Sequence, residues 1–201
     1  MTRRYHLVAS MFVAALVASP GLAVAVDIVT VESKCSSGGA YVEGGTGWGN
    51  SSSKSNKTPC SSGSRSSKNA GAFADFIPPI TTAGLYDVYL TWGPTTSGNN
   101  GPNADNVEAS IVHRDGTTPM ALNLRGHSGC TVNSDQLVYI GRAWFNVGQG
   151  HKVRLSNTGS GQCYNGVSKR YVSADAAIFS PVAPVPVAPT TWSLIKARYA
   201  N

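Results

Sequence analysis

The segment from Gly84 to Trp92 constrains the fold of this chain more than any other, because apolar side chains recur in it at every second position. A period of two is that of a β-strand, in which successive side chains point to opposite faces. The segment therefore predicts a strand that turns Asp87 and Thr91 outward and buries one row of side chains. The buried row is Tyr86, Val88, Leu90 and Trp92.

Other short segments rich in aromatic and β-branched residues lie on both sides of this strand, with turn residues between them. Asp115-Gly116 supplies the positive φ that a tight hairpin turn needs. We expect the segments 137–147 and 152–156 to pair through a turn at 148–150. Many short strands separated by turns, with no convincing helix among them, predict an antiparallel β-sandwich of the jelly-roll-like kind. The remaining predicted strands are 26–31, 73–78, 107–112, 120–124 and 172–179.

The start of the chain has the three parts of a secretory signal peptide. Arg3 and Arg4 give a positive beginning, residues 7–17 are apolar, and Ala23-Val24-Ala25 is a small-x-small cleavage pattern. The apolar run is short for a membrane span. We expect residues 1–25 to be removed and the mature chain to lie outside the cytoplasm, secreted or at the cell surface, with no membrane span.

The charge balance argues against a nucleic-acid partner. Removing Arg3 and Arg4 leaves 14 basic residues against 10 acidic ones, so the net charge falls from +6 to +4. That is far from the strongly basic composition of nucleic-acid-binding domains. Only 13% of the residues are charged and 22 are glycine, which is typical of an extracellular β-protein with a polar, largely uncharged surface.

Four cysteines remain after the signal, and an even number in an exported chain predicts two disulfides. Three connectivities are possible. We favour Cys35–Cys60 and Cys130–Cys163, because each pair closes a local polar loop. A metal site is the alternative, but no pair of cysteines or histidines has ligand spacing. The sequence predicts no metal and no cofactor.

A Ser-, Gly- and Lys-rich loop is predicted over residues 44–69, within a domain that spans residues 26–180. A long loop is either functional or poorly ordered. This one could meet an anionic polymer or could be a solvated insertion. Its cations are Lys54, Lys57, Arg65 and Lys68.

The end of the chain is predicted to hold a linker and a short helix. Residues 181–189 are rich in proline, which favours an extended, semi-rigid segment. In residues 190–201, Trp192, Ile195 and Tyr199 share one face of a helix. Such a helix is marginal alone, so we expect it to dock on its own domain or on a protein partner. A sorting role remains open.

The order of the strands resembles that of the golvesin/xanthan lyase carbohydrate-binding-like domain family. The resemblance covers roughly residues 70–180 and implies a secreted, bacterial module that binds polysaccharide or a cell-surface glycan. No catalytic residues accompany it. The segments that carry it are Phe73–Pro78, Gly84–Trp92, Tyr139–Gly148, Val153–Asn157 and Ala174–Phe179.

Catalytic motifs are weak in this chain. The string Gly126-His127-Ser128-Gly129-Cys130 lacks the final glycine of a nucleophile elbow and has no helix after it. Paired carboxylates for glycoside cleavage cannot be assigned from sequence. Asp175 lies in the closing strand of the family pattern, where we expect it to bond backbone amides. The sequence therefore predicts a protein that is not an enzyme.

Sugar binding needs aromatic faces that stack on pyranose rings, with a few polar groups that fix orientation. Alternation along residues 142–146 places Arg142 and Trp144 together on the exposed face of a strand, opposite Ala143 and Phe145. Ordinary packing is the alternative for each aromatic candidate. The predicted ligand-binding residues are Trp48, Arg142, Trp144, Tyr164 and Tyr171.

These expectations combine into a secreted, non-catalytic module that binds polysaccharide. One alternative is an extracellular structural or adhesive protein that contacts other proteins through its tail. Another is a polysaccharide hydrolase or lyase with an unrecognised site.

Overall fold

The computed structural model describes residues 27–35, 39–53, 55, 57–58, 63–93, 103–124, 136–148, 150–158 and 171–182. The predicted signal peptide, the tail helix and most of the proline-rich linker lie outside these ranges. Within them, the chain forms no helix with both the length and the apolar character needed to cross a membrane.

The described residues form strands and no helix, and every pair of neighbouring strands is antiparallel. The strands are β1 (Val29–Glu32), β2 (Ala40–Gly44), β3 (Gly49–Ser51), β4 (Ser64–Ser67), β5 (Phe73–Ile77), β6 (Gly84–Trp92), β7 (Val107–His113), β8 (Gly116–Leu122), β9 (Gln136–Phe145), β10 (Lys152–Asn157), β11 (Val172–Ala174) and β12 (Ala176–Pro181).

Two larger sheets make up the layers of the fold. A four-stranded sheet has the order β1-β12-β6-β9, and a five-stranded sheet has the order β2-β5-β10-β7-β8. A small sheet with the order β11-β4-β3 accompanies them. The predicted antiparallel β-sandwich is confirmed.

The core contains the alternating row that the sequence predicts in β6. Tyr86, Val88, Leu90 and Trp92 are at most 2% exposed. Phe145 of β9 contacts both Tyr86 and Phe179 edge to face, with ring centres 5.7 and 5.5 Å apart. Burying a large apolar side chain stabilises a fold by roughly 1.5–3 kcal/mol, so this row anchors the four-stranded sheet.

A β-bulge in β9 determines which of its side chains share a face. Val88 of β6 lies opposite Gly141, but Tyr89 lies opposite Tyr139, so Ile140 is an extra residue. Tyr139 and Arg142 are three residues apart and would face opposite sides of a regular strand. The extra residue puts both on the outer face of the sheet.

Gly141 is suited to this bulge by its backbone and by its surroundings. Its φ of 154° favours glycine. A Cβ at this position would come within 3.0 Å of Cδ1 of Ile111 on β7, across the core.

The prediction that β9 and β10 pair was wrong. β9 pairs with β6, whereas β10 lies between β5 and β7 in the other sheet. The segment between them crosses from one sheet to the other, and Gly148 exchanges two backbone hydrogen bonds with Ile80 (2.8 and 3.2 Å). Each of the two strands has one row of apolar side chains that faces the core. The sequence pattern alone does not indicate to which of the two sheets such a strand belongs.

The predicted loop at residues 44–69 contains two short strands, β3 and β4. Their serines carry no apolar period, but they make side-chain hydrogen bonds to the backbone. The hydroxyl of Ser64 donates to the Ser53 carbonyl at 2.7 Å, and that of Ser67 donates to the Thr46 carbonyl at 3.0 Å.

The predicted closing strand is divided at Asp175 into β11 and β12. The Asp175 carboxylate is buried and accepts a hydrogen bond from the backbone N–H of Ser55 at 2.5 Å. The predicted bonding to a backbone amide is confirmed.

Candidate functional site

The outer surface of the four-stranded sheet presents a set of cross-strand pairs from β6 and β9, which we name the β6–β9 face. The bulge aligns the two strands so that four pairs point away from the core. From one end of the face to the other, the pairs are Leu85–Trp144, Asp87–Arg142, Tyr89–Tyr139 and Thr91–Leu137. Thr91 was predicted to face outward, but it is covered and only 1% exposed, so Leu137 alone is open in the last pair.

Apolar side chains on this face remain open to solvent. Trp144 is 37% exposed, Leu137 is 45% exposed and Tyr139 is 53% exposed. Leu85, the cross-strand partner of Trp144, and Tyr89, the partner of Tyr139, lie four residues apart, about 13 Å along the strand. Several exposed apolar side chains on one sheet surface mark this face as a candidate place for a ligand or a partner to bind.

Tyr139 is held in place by its neighbour on β6. The rings of Tyr89 and Tyr139 meet near edge to face, with centres 5.6 Å apart and an angle of 65° between their planes. Cross-strand aromatic pairs stabilise a sheet and restrict both rings. Tyr139 therefore offers a preorganised aromatic surface.

An ion pair separates the two aromatic groups of the face. Nε and Nη2 of Arg142 donate to the two carboxylate oxygens of Asp87 at 2.7 and 2.9 Å. These hydrogen bonds hold the pKa of Asp87 below its ordinary value. The pair is solvent-exposed, so its role is to orient polar groups and not to stabilise the fold.

The turn between β7 and β8 reaches over to Trp144. The backbone N–H of Arg114 donates to the Trp144 carbonyl at 3.0 Å. The guanidinium of Arg114 lies over the indole ring, 4.9 Å from its centre, and also bonds Asp115. This contact joins the two large sheets beside the candidate site.

The structure brings together two of the predicted ligand residues, Arg142 and Trp144, and places two others elsewhere. Trp48 is half-buried against the core, and its indole N–H donates to the Gly44 carbonyl at 3.0 Å. Tyr171 is half-buried and forms an isolated bridge with Asn103. Tyr164 lies outside the described residues.

Sequence reasoning missed Tyr89, Tyr139 and Arg114 as members of this site. Tyr139 was missed because the bulge breaks the period of two between it and Trp144. Arg114 was missed because its contact crosses between sheets. The pairing of β6 with a later strand was the signal that could have pointed to Tyr89.

A second surface feature lies on the outer side of the five-stranded sheet. It is an open groove of about 520 Å³ across β10, β7 and β8. We name it the β7–β8 groove. Its polar and small lining residues are Glu108, Ser110, Pro119, Ala121, Arg154 and Ser156.

A buried carboxylate organises the cations beside the groove. Asp75 is 5% exposed and accepts hydrogen bonds from Arg154 at 2.6 and 2.7 Å and from Lys152 at 2.8 Å. Burial by itself raises the pKa of Asp75, but these hydrogen bonds outweigh it and the pKa lies below its ordinary value. The Arg154 guanidinium also stacks on Phe73, 3.9 Å from the ring centre.

Metal-ligating side chains do not cluster in the part of the chain that the structure describes. No three His, Cys, Asp or Glu residues come together there in a way that would hold an ion. Of the four cysteines only Cys35 lies within this part, so the predicted disulfide pairing is not tested.

Comparison with known proteins gives similarity of fold. No protein-family model matches the chain, and no curated protein matches it. The chain is similar to a Paenibacillus xanthan lyase, with a TM-score of 0.59 and 23% identity over 77% of this chain and 13% of the lyase. The predicted resemblance is therefore supported as a shared fold with part of a xanthan lyase. The chain spans only a small part of that enzyme's length.

Two further solved structures align with the chain at lower scores. A Podospora anserina GH26-CBM35 β-(1,4)-mannanase has a TM-score of 0.49 and 16% identity over 79% of this chain and 28% of its own. The CBM36-1 domain of a multidomain xylanase from the hindgut metagenome of Trinervitermes trinervoides has a TM-score of 0.47 and 14% identity, over 79% of this chain and 100% of that domain.

Proposed function

We propose that this chain is a secreted, non-catalytic module that binds polysaccharide through the β6–β9 face. The observation that carries the proposal is the exposure of Trp144 and Tyr139 on one face of the sheet, with the Arg142–Asp87 pair between them. Aromatic rings stack on the apolar faces of sugars, and the ion pair offers both a donor and an acceptor to sugar hydroxyls.

The extent of the face supports a polymer as the ligand. Trp144 and Tyr139 are two cross-strand pairs apart, about 13 Å along the sheet. Two platforms at that separation contact different rings of one extended chain. A single monosaccharide would meet only one platform, so we expect binding to strengthen with the length of the ligand.

The charges of the face favour a ligand without net charge. Arg142 is paired with Asp87, and Arg114 is paired with Asp115. Each cation therefore has an adjacent anion, and the face has no excess of positive charge to attract a polyanion. We propose a neutral glycan as the preferred class.

Secretion and the two disulfides remain part of the proposal. They are supported by the signal-like start of the sequence and by the even number of cysteines that follow it. Membership of the golvesin-like family is likewise proposed, supported by the strand order and by the shared fold with a xanthan lyase region.

The experiment is retardation of the mature chain, residues 26–201, in native gels that contain one soluble polysaccharide each. The neutral polymers are glucomannan and arabinoxylan, and xanthan is the anionic comparison. We expect a neutral polymer to retard the protein and Trp144→Ala and Tyr139→Ala to weaken binding by about tenfold, or about 1.4 kcal/mol, each. Val42→Ala removes an exposed apolar side chain from the other sheet and is the matched control.

An adhesive role is the second candidate, because Leu137 also remains open on this face. If none of the polymers retards the protein and self-association or capture of a surface protein depends on Tyr139 and Leu137, the face is a protein-contact surface. Release of reducing sugar from a polymer would instead overturn the non-catalytic part of the proposal.

A further inference from the structure

The β7–β8 groove has no part in the site proposed above, and it lies on the opposite side of the sandwich. We propose that this groove is a second binding site for a neutral glycan chain, so that one module holds two chains at once. The inference rests on the proposed function for the class of ligand, but the two sites share no residue.

The size and form of the groove suit a segment of a chain. Its volume of about 520 Å³ lies within the range of small-molecule sites. Ser110, Ser156 and Ala121 contribute small side chains, and Pro119 and Arg154 are larger neighbours. Because Arg154, Ser110 and Pro119 lie in register on three adjacent strands, the groove runs across a regular sheet surface.

The guanidinium of the groove is oriented before any ligand arrives. Arg154 is held in its plane by Phe73 beneath it and by two hydrogen bonds from its Nε and Nη2 to Asp75. Glu108 lies opposite Ser156 on β10 and Ala121 on β8. A ligand therefore meets a guanidinium that is already oriented, which lowers the ordering cost of binding at Arg154. The strand register places Glu108, Ser110 and Ser156 beside it.

The combination of donors and acceptors indicates a hydroxyl-rich ligand. Arginine only donates, an ionised glutamate only accepts, and serine does both. Sugar hydroxyls both donate and accept, so they can satisfy all three kinds of group. A polyanion would satisfy Arg154 but would be repelled by Glu108.

The net charge of this surface also favours a neutral ligand. Asp75 is shared by Lys152 and Arg154, which leaves one positive charge in excess. Glu108, on the adjacent row of the same face, supplies one negative charge. These four groups sum to zero, so the groove favours a neutral glycan over a charged one.

Two sites on opposite sides change how the module acts on a polymer. A site on each outer face allows the protein to join two chains, and on a single long chain it raises the apparent affinity through the effective concentration of the second site. A protein with one site does neither.

The test is isothermal titration of the mature chain with cellohexaose, mannohexaose and xylohexaose, read as the number of sites per protein. Ala121→Arg places a long side chain beside Glu108, where it fills the groove and occupies the carboxylate. Thr117→Arg adds the same side chain to the same face of the same strand, outside the groove, and is the matched control. Trp144→Ala/Tyr139→Ala removes the other site. Glu108→Ala removes the acceptor without adding bulk.

We expect two sites in the unmodified protein and in Thr117→Arg, one in Ala121→Arg and one in Trp144→Ala/Tyr139→Ala. Glu108→Ala should weaken one of the two sites. Two sites in Ala121→Arg would contradict the proposed site in the groove. A single site in the unmodified protein that only Trp144→Ala/Tyr139→Ala removes would contradict it as well. Either result would leave the proposal for the β6–β9 face intact.

The reverse outcomes separate the two proposals. Suppose that the unmodified protein has a single site that is lost in Ala121→Arg and retained in Trp144→Ala/Tyr139→Ala. That result would support the proposed groove site and contradict the proposed β6–β9 site. Absence of any heat of binding in the unmodified protein with all three oligosaccharides would overturn both. Far-ultraviolet circular dichroism and the thermal midpoint check that each variant is folded.

Discussion

The guanidinium of Arg114 lies 4.9 Å from the centre of the Trp144 ring, and the backbone N–H of the same arginine donates to the Trp144 carbonyl. One residue of the β7–β8 turn therefore contacts both the backbone and the side chain of Trp144 on the β6–β9 face. A guanidinium over an indole restricts the ring by electrostatic attraction, so Arg114 is a positioning residue for the proposed site.

Replacing Arg114 by alanine should loosen Trp144 without unfolding the protein. We expect weaker retardation by neutral polysaccharide and an unchanged thermal midpoint, because the arginine side chain is exposed and its backbone hydrogen bond survives the substitution. Arg114→Lys keeps a cation over the ring and should restore much of the binding. Equal binding by Arg114→Ala and the unmodified protein would show that the stack does not position the indole.

Replacing Asp75 by asparagine should destabilise the fold in a way that depends on pH. The substitution leaves Lys152 and Arg154, both partly exposed, without their buried anion. We expect a loss of about 1–3 kcal/mol in the free energy of unfolding at neutral pH. Urea unfolding of both proteins at pH 7 and pH 3 measures it.

The direction of the pH dependence follows from the lowered pKa of Asp75. An aspartate ionises near pH 3.9 in an unfolded chain. Its stabilising contribution is present above that pH and is lost as the pH falls from there through the lower pKa of the folded state. The gap between Asp75→Asn and the unmodified protein should therefore narrow at pH 3, and a constant gap would contradict the prediction.

Gly141→Ala should destabilise the fold, because both the backbone and the packing at this position suit glycine. The new Cβ would lie 3.0 Å from Ile111 Cδ1, and the backbone has a positive φ of 154°. We expect a loss of roughly 1–3 kcal/mol in the free energy of unfolding. Gly150→Ala is the control, because a Cβ at that position meets no atom within 4 Å.

A double variant separates the two causes at this position. Ile111→Val removes the Cδ1 atom that the new Cβ would meet, but it leaves the backbone unchanged. If Gly141→Ala costs less in the Ile111→Val variant than in the unmodified protein, close packing contributes. If it costs the same in both, the strained φ accounts for the effect.

Most of the strands could be predicted from the sequence, whereas their partners could not. The alternation of Tyr86, Val88, Leu90 and Trp92 was sufficient to place β6 and its inner face. A period of two indicates a strand and its buried face, but it does not indicate which strand lies beside it. The pairing of β9 with β10 was therefore predicted wrongly. The serine-rich β3 and β4 show no period, because hydrogen bonds and not apolar burial hold them.

Two residues of the candidate site could be predicted from the sequence. Arg142 and Trp144 share a regular stretch of β9, and alternation correctly placed both on the exposed side. Tyr139 lies beyond the bulge, where counting by two assigns it to the wrong face. Arg114 and the β7–β8 groove depend on contacts between distant segments, and no local pattern encodes those.

The bulge at Gly141 also affects how copies of the protein could pair edge to edge. Of the described strands in its sheet, β9 is outermost on its side, and such a strand leaves backbone groups available to another chain. The irregular spacing at Gly141 and the adjacent charge of Arg142 interrupt that open edge halfway along. This interruption disfavours the addition of a second copy as a continuous strand beside the exposed aromatic side chains.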